Sequence, residues 1–111
     1  MSDREPKVFI PHWNATFHYH KAEIYGKLVH WSPKDFDDVD GSMQNSILMN
    51  QLIENVESYN PDLDFMLVSG SPVLVATAIG IALQRHGRVK ILRFNKQHKE
   101  YVPLTLEIPN E

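Results

Sequence analysis

Three observations predict an α/β domain built on a mostly parallel sheet. Phe65-Met66-Leu67-Val68 are four consecutive apolar residues with no polar alternation, which suits a central strand covered on both faces. Ser69-Gly70-Ser71-Pro72 follows, then an apolar run to His86, so a tight turn leads into a buried helix. Elsewhere short strand-like segments alternate with helix-like ones, the pattern of parallel strands joined by crossovers. The predicted order is β-α-β-α-β-α-β-β: a compact, Rossmann-like domain with a C-terminal hairpin at the edge of its sheet.

Bulk properties narrow the classes. At 111 residues the chain is one domain, 1–111, with a tail at 1–6. Hydrophobic residues make up 42% and charged residues 23%, ordinary globular composition. The net charge of −3 leaves no basic footprint, which disfavours non-specific nucleic-acid binding. With no cysteine there is no disulfide, thiolate nucleophile or cysteine-type zinc site. Met1 to Lys7 is too polar for a signal peptide, and the apolar stretch Val73 to Leu83 is too short to span a bilayer. The expectation is a soluble, cytoplasmic protein with no membrane contact and no cofactor.

Taken in order, Lys7 to Ile10 reads as the first strand, ended by Pro11. Asn14 is placed to cap a helix over Ala15–Tyr25, closed by Gly26. That helix decides how His12, His18 and His20 are read. In a strand, His18 and His20 project from one face like metal ligands; in a helix, residues two apart do not face each other. The helix is preferred, so no metal is expected. Leu28 to Trp31 is the second strand. The acidic loop Asp35 to Gly41 is no EF-hand: with Gly41 sixth, the first and twelfth places fall on Phe36 and Ile47, which cannot ligate calcium. Ser42 caps a helix to about Tyr59, with Met43, Ile47, Leu48, Leu52, Val56 and Tyr59 as its apolar side. Asn60-Pro61 stops it. Ser71 and Pro72 fit the cap and first position of the next helix, and Gly87 its end. Val89 to Phe94 and Tyr101 to Ile108 form the hairpin, with Pro103 marking an edge.

Ligands of such sheets bind beyond the carboxyl ends of the strands. Here those ends carry His12-Trp13-Asn14, Trp31-Ser32, Ser69-Gly70-Ser71 and Asn95-Lys96. The backbone N–H groups of the Ser69–Ser71 turn favour a phosphate, the tryptophans suit a base, and Asn14 and Asn95 suit base edges or ribose. The motif lacks both the G-x-G-x-x-G fingerprint and the Walker lysine. A plain, well-capped turn is an equal reading of Ser69–Ser71.

Phe65 to Val102 resembles the matching part of small CRISPR-associated Rossmann-fold (CARF-like) proteins, including single-domain ring nucleases. The likeness rests on the apolar strand, the turn Ser69-Gly70-Ser71-Pro72, the helix ending at His86-Gly87 and the strand-turn-strand close. The chain is also similar to small bacteriophage α/β proteins with a helix ending His-Gly-Arg (His86, Gly87, Arg88) and a later Tyr-Val pair (Tyr101, Val102). The first resemblance implies a homodimer that binds cyclic oligonucleotide signals of antiviral defence, and in some members cleaves them. The ring-nuclease helix carries a histidine in its body, and Ala76 to Leu83 has none, so binding is the firmer expectation. For cleavage, a metal-independent phosphodiesterase with His12 as general acid or base is the candidate. The competing class is an interaction or inhibitor module without a nucleotide, using the edge strand Tyr101 to Ile108 and the acidic loop. A two-fold dimer through Val73–Leu83 is expected, with Ala76, Gly80 and Ala82 allowing close approach.

Overall fold

The computed structural model describes residues 4–14 and 18–109. Five strands form one sheet: β1 (Lys7–His12), β2 (Lys27–Ser32), β3 (Phe65–Val68), β4 (Arg88–Asn95) and β5 (Glu100–Glu107). Their order is β2-β1-β3-β4-β5. The sheet is mixed, which corrects the mostly parallel class: β1 to β4 run parallel, and β5 returns antiparallel on β4 because a short turn joins them. Two α-helices accompany the sheet, α1 (Met43–Glu57) and α2 (Pro72–His86).

The first connection is not the predicted α-helix. Ala15, Thr16 and Phe17 lie outside the described residues, and the helical part is a 3₁₀ turn, His20–Tyr25. Its period is three: Tyr19 and Ala22 are buried and Tyr25 is half-buried, one face at i, i+3 and i+6. Ile24 is 82% exposed. His18 and His20 are both exposed. Gly26 follows, and there the N-terminal segment passes very close: a Cβ on Gly26 would lie 2.7 Å from the carbonyl carbon of Pro6.

The strands show one set of side chains to each face. Phe9, Met66, Val89 and Ile91 pack with Leu48, Leu52 and Val56 of α1 and Leu74, Ala78, Ile81 and Ala82 of α2. Val8, Ile10, Leu67, Leu92 and Tyr101 pack on the other side with Tyr19 and Ala22. β3 feeds both cores, which is why its run is apolar without alternation. Both α-helices therefore lie on one face and the 3₁₀ segment on the other. This follows from the path: β1 to β2 moves one way along the sheet, and β2 to β3 crosses back over β1. Right-handed crossovers in opposite directions fall on opposite faces. The reversal places a topological switch point between the carboxyl ends of β1 and β3.

The helix ends follow their local chemistry. Ser42 Oγ accepts from the Asn45 N–H and Ser71 Oγ from the Leu74 N–H, Pro72 opens α2, and Gly87 closes it in the left-handed region with φ 77°. Two members of the expected α1 stripe are outside the core: Met43 is 78% and Ile47 52% exposed. Pro11 does not end β1 but lies inside it. The acidic loop is held by its own side chains. Asp37 Oδ1 accepts from the Val39 N–H, and Asn45 brackets the loop by accepting from the Asp37 N–H and donating to the Asp37 carbonyl.

Tyr59, just past α1, is 2% exposed, and its hydroxyl accepts a 2.8 Å bond from the Lys90 N–H. Burial pushes this phenol up to about 12. The fold holds the neutral form, so the contribution is complete below about pH 10, the usual tyrosine value, and is lost as the pH rises through about 12. Tyr59→Phe leaves the Lys90 N–H without its acceptor. It is expected to cost about 1–2 kcal/mol at neutral pH and to flatten the fall in stability above pH 10. Urea midpoints measured across that range check both effects.

Candidate functional site

The carboxyl ends of the strands gather the expected residues along one edge, but their side chains divide into four groups. The first lies at the switch point. His12 Nδ1 accepts a 2.7 Å hydrogen bond from the Ser71 N–H, which ties the end of β1 to the start of α2. Gly70 makes this contact possible, with φ +85° and no side chain where the His12 ring passes. The same bond changes what the turn can do. The Ser71 N–H goes to His12, the Leu74 N–H to Ser71 Oγ, and Pro72 has none to give. Within the turn Ser69–Ser71 it is the Ser71 N–H that is thus taken from any phosphate. Ser71 is buried and Ser69 half-buried.

His12 also has a defined chemical state. A neutral imidazole whose Nδ1 accepts must carry its proton on Nε2. No buried side-chain nitrogen or oxygen among the described residues lacks a partner, and Nε2 makes no hydrogen bond, so it meets solvent. The outward nitrogen is a donor. In this state His12 can donate its Nε2–H to an anion, and with Nδ1 engaged it is neither a free general base nor, as the neutral ring, a general acid.

The tryptophans do not converge. Trp31 packs on Phe9, with ring centroids 4.9 Å apart, and belongs to the core under α1. Trp13 lies edge-on to His30 at 5.1 Å and joins the core on the opposite face. They cannot sandwich one base. Asn14 is exposed, and its N–H donates to Tyr19 Oη. Asn95 Oδ1 accepts from the Gln97 and His98 N–H groups, so it shapes the β4–β5 turn, and Lys96 is exposed on that turn.

Trp31 and Ser32 instead line a groove of about 510 Å³ between the end of β2 and the first half of α1. The volume suits a small ligand. Met43, Ile47 and Gln51, spaced i, i+4 and i+8, form the α1 wall, with Leu48 deeper and Gln44 beside them. Pro33 and Lys34 close the β2 side. The Ser32 hydroxyl is engaged within the loop, donating to the Lys34 carbonyl and accepting from the Lys34 N–H. Among the described residues, Lys34 is the charged residue of the lining and no carboxylate joins it. Sequence reading found Trp31 and Ser32 but not Lys34, Met43, Gln44, Ile47 or Gln51. The available signal was an apolar arc on α1 wider than one core stripe.

His12, Ser69, Gly70, Asn95 and Lys96 do not line this groove. Among the described residues, no group of three histidines or carboxylates is placed to hold a metal ion, and no helix is long and apolar enough to cross a membrane. No curated protein and no solved structure matches the chain. A family model does, across residues 5–108 and so over every strand and helix described above: the chain belongs to the phage Pam3 gp32-like protein family.

Proposed function

We propose that this domain is a nucleotide-binding module, and that the base enters the Trp31 groove. The observation that carries the reading is the make-up of the groove: an aromatic ring, apolar walls, two glutamine amides and a single cation. A planar base with an anionic group matches each of these. The ring lies against Trp31 between Met43 and Ile47, the amides meet base edges, and Lys34 meets phosphate. The resemblance to CARF-like proteins favours cyclic oligonucleotides among such ligands. Cleavage, without a metal, is the further step, in which the His12 Nε2–H donates a hydrogen bond to the phosphate.

The test uses calorimetry with AMP, cyclic di- and tetra-adenylate and linear tetra-adenylate. Trp31 fluorescence in a Trp13→Phe background is the second readout. Saturable binding is expected, weakened about 5- to 150-fold by Trp31→Ala, the range set by stacking of about 1–3 kcal/mol. Lys34→Glu, at an exposed position, should weaken binding without touching the fold. No heat and no fluorescence change across the panel would refute the reading. Chromatography of the tetra-adenylate incubation separates capture from cleavage.

The second reading, an interaction module without a nucleotide, is favoured by a different observation: apolar side chains on β5 and just after it are left open, with Leu104, Leu106 and Ile108 between 36% and 53% exposed.

A further inference from the structure

We propose that the turn between β4 and β5, with Phe94 at its base, binds single-stranded nucleic acid. The net charge of −3 averages two unlike regions. Asp37, Asp38 and Asp40 crowd one loop and line a cleft beside α1 and α2. From Arg88 to Lys99, by contrast, the chain carries five cations and no carboxylate. Arg88 is paired with Asp62, and Lys90 donates to the Asp62 carbonyl. Lys96 and Lys99 stand exposed on the turn, with exposed His98 between them.

The fold brings a further cation to this corner. Lys21 Nζ, from the 3₁₀ segment, donates to the Lys99 carbonyl at 2.7 Å, across 78 residues of sequence. Among the described residues, no carboxylate forms an ion pair with Lys21, Lys96 or Lys99. The acids nearest in sequence face elsewhere. Glu100 pairs with Asn95, and strand alternation turns that pair to the helical face. Glu23 is two residues from Lys21, on another side of the three-residue turn, and lines a groove with Pro6 and Lys27. A phosphate supplies the missing counter-charge.

The aromatic part selects the kind of anion. Phe94 pairs with Tyr101 across the hairpin, on the face opposite the α-helices. Leu92 and Tyr101 on that face are buried, whereas Phe94 is 40% exposed, its ring edge-on to Tyr101 at 5.2 Å. An unpaired base can stack there whatever its identity. A duplex keeps its bases stacked on one another and offers only phosphates, and an acidic peptide leaves the ring without a planar partner. Trp31 lies in the opposite core, so this surface is separate from the nucleotide groove. Three lysines and one ring make a weak site, in the micromolar range at low salt.

Fluorescence anisotropy on the full chain tests this, with labelled oligo-dT and oligo-rU of about 12 nucleotides. A duplex of equal length and heparin are the controls. Saturable binding of the single strands is expected, with the duplex weaker by about tenfold or more. The logarithm of the binding constant should fall against that of salt with a slope of about −2, at about 0.7 per phosphate for three lysines. Phe94→Ala should weaken binding about 5- to 150-fold. Phe94→Leu, which keeps an apolar contact for Tyr101, should weaken it too. Lys96→Gln and Lys99→Gln, at exposed positions, should each lower the slope by about 0.7. Circular dichroism checks that every variant folds. Trp31→Ala should leave this binding unchanged, so this proposal and the nucleotide reading fail separately. No anisotropy change up to high micromolar protein at low salt overturns the proposal. Duplex or heparin bound as tightly as the single strands, with no effect of either Phe94 substitution, overturns it as plain anion exchange. Binding lost with Trp31→Ala and kept in both Phe94 variants overturns it as well, since the strand then uses the groove.

Discussion

Asp64→Ala is expected to cost about 3–5 kcal/mol of folding stability, the usual effect of breaking a buried ion pair. Asp64 is fully buried at the entry to β3, and both its oxygens accept only from N–H donors. Oδ1 accepts from Arg4 Nη1 at 2.7 Å and from the Lys7 N–H at 3.0 Å. Oδ2 accepts from Arg4 Nη2 and from the Asn60 N–H. One carboxylate thus joins the N-terminal segment, the start of β1 and the turn after α1. Its hydrogen bond is the main reason the Arg4 guanidinium is held even more firmly protonated than usual. Asparagine keeps the shape and still fails, because its NH₂ must face two donors where the carboxylate had an acceptor. Asp64→Asn is therefore expected near the alanine value. Arg4→Ala leaves the fully buried Asp64 carboxylate with its two backbone N–H donors and no cation, and should cost about 2–3 kcal/mol, less than Asp64→Ala because those donors keep their acceptor. Guanidinium midpoints for the three variants check this order. Equal small effects from all three would mean that Asp64 is not the anchor. Against a total of about 5–15 kcal/mol for a domain of this kind, the loss is large.

The elements that sequence reading placed well are those whose ends are written locally. Ser42 caps α1, and Ser71, Pro72 and Gly87 bound α2 in positions that need no knowledge of the rest of the chain. β3 was legible because burial on both faces removes alternation. The 3₁₀ segment was missed because a 3.6-residue period was applied where Tyr19, Ala22 and Tyr25 repeat every three. Asp64 was overlooked because a lone acid before an apolar strand reads as loop, and its three partners come from Arg4, Lys7 and Asn60. The site divided for a related reason. Strand ends can be ranked along a sheet edge from sequence, but the side to which each ring turns cannot. Trp31 follows the pleat of β2 onto the α1 face, whereas Trp13 lies beyond the end of β1 and joins the other core. The bond between His12 and the Ser71 N–H spans 59 residues and leaves no local pattern.

Gly70→Ala is expected to cost about 3 kcal/mol or more, and the cause separates into two parts. The first is the dihedral: at φ +85° an alanine pays about 1–2 kcal/mol for the left-handed region. The second is space. A Cβ at Gly70 would lie 2.9 Å from the His12 carbonyl oxygen and closer still to Nδ1. The ring must leave, and the Ser71 N–H at the start of α2 then loses its acceptor. Gly41 isolates the first part. It has φ +75°, and a Cβ there meets nothing within 4 Å. Gly41→Ala should therefore show the dihedral cost alone, and the difference between the two alanine variants reports the His12 contact. A double-mutant cycle sharpens the assignment. His12→Ala removes the ring but leaves the carbonyl, so the pair with Gly70→Ala should be less destabilising than the sum of the singles by about 1 kcal/mol, the worth of one hydrogen bond counted twice. Strict additivity would show that the ring and the turn act independently. The bond that fixes the His12 tautomer would then contribute little to holding β1 and α2 together.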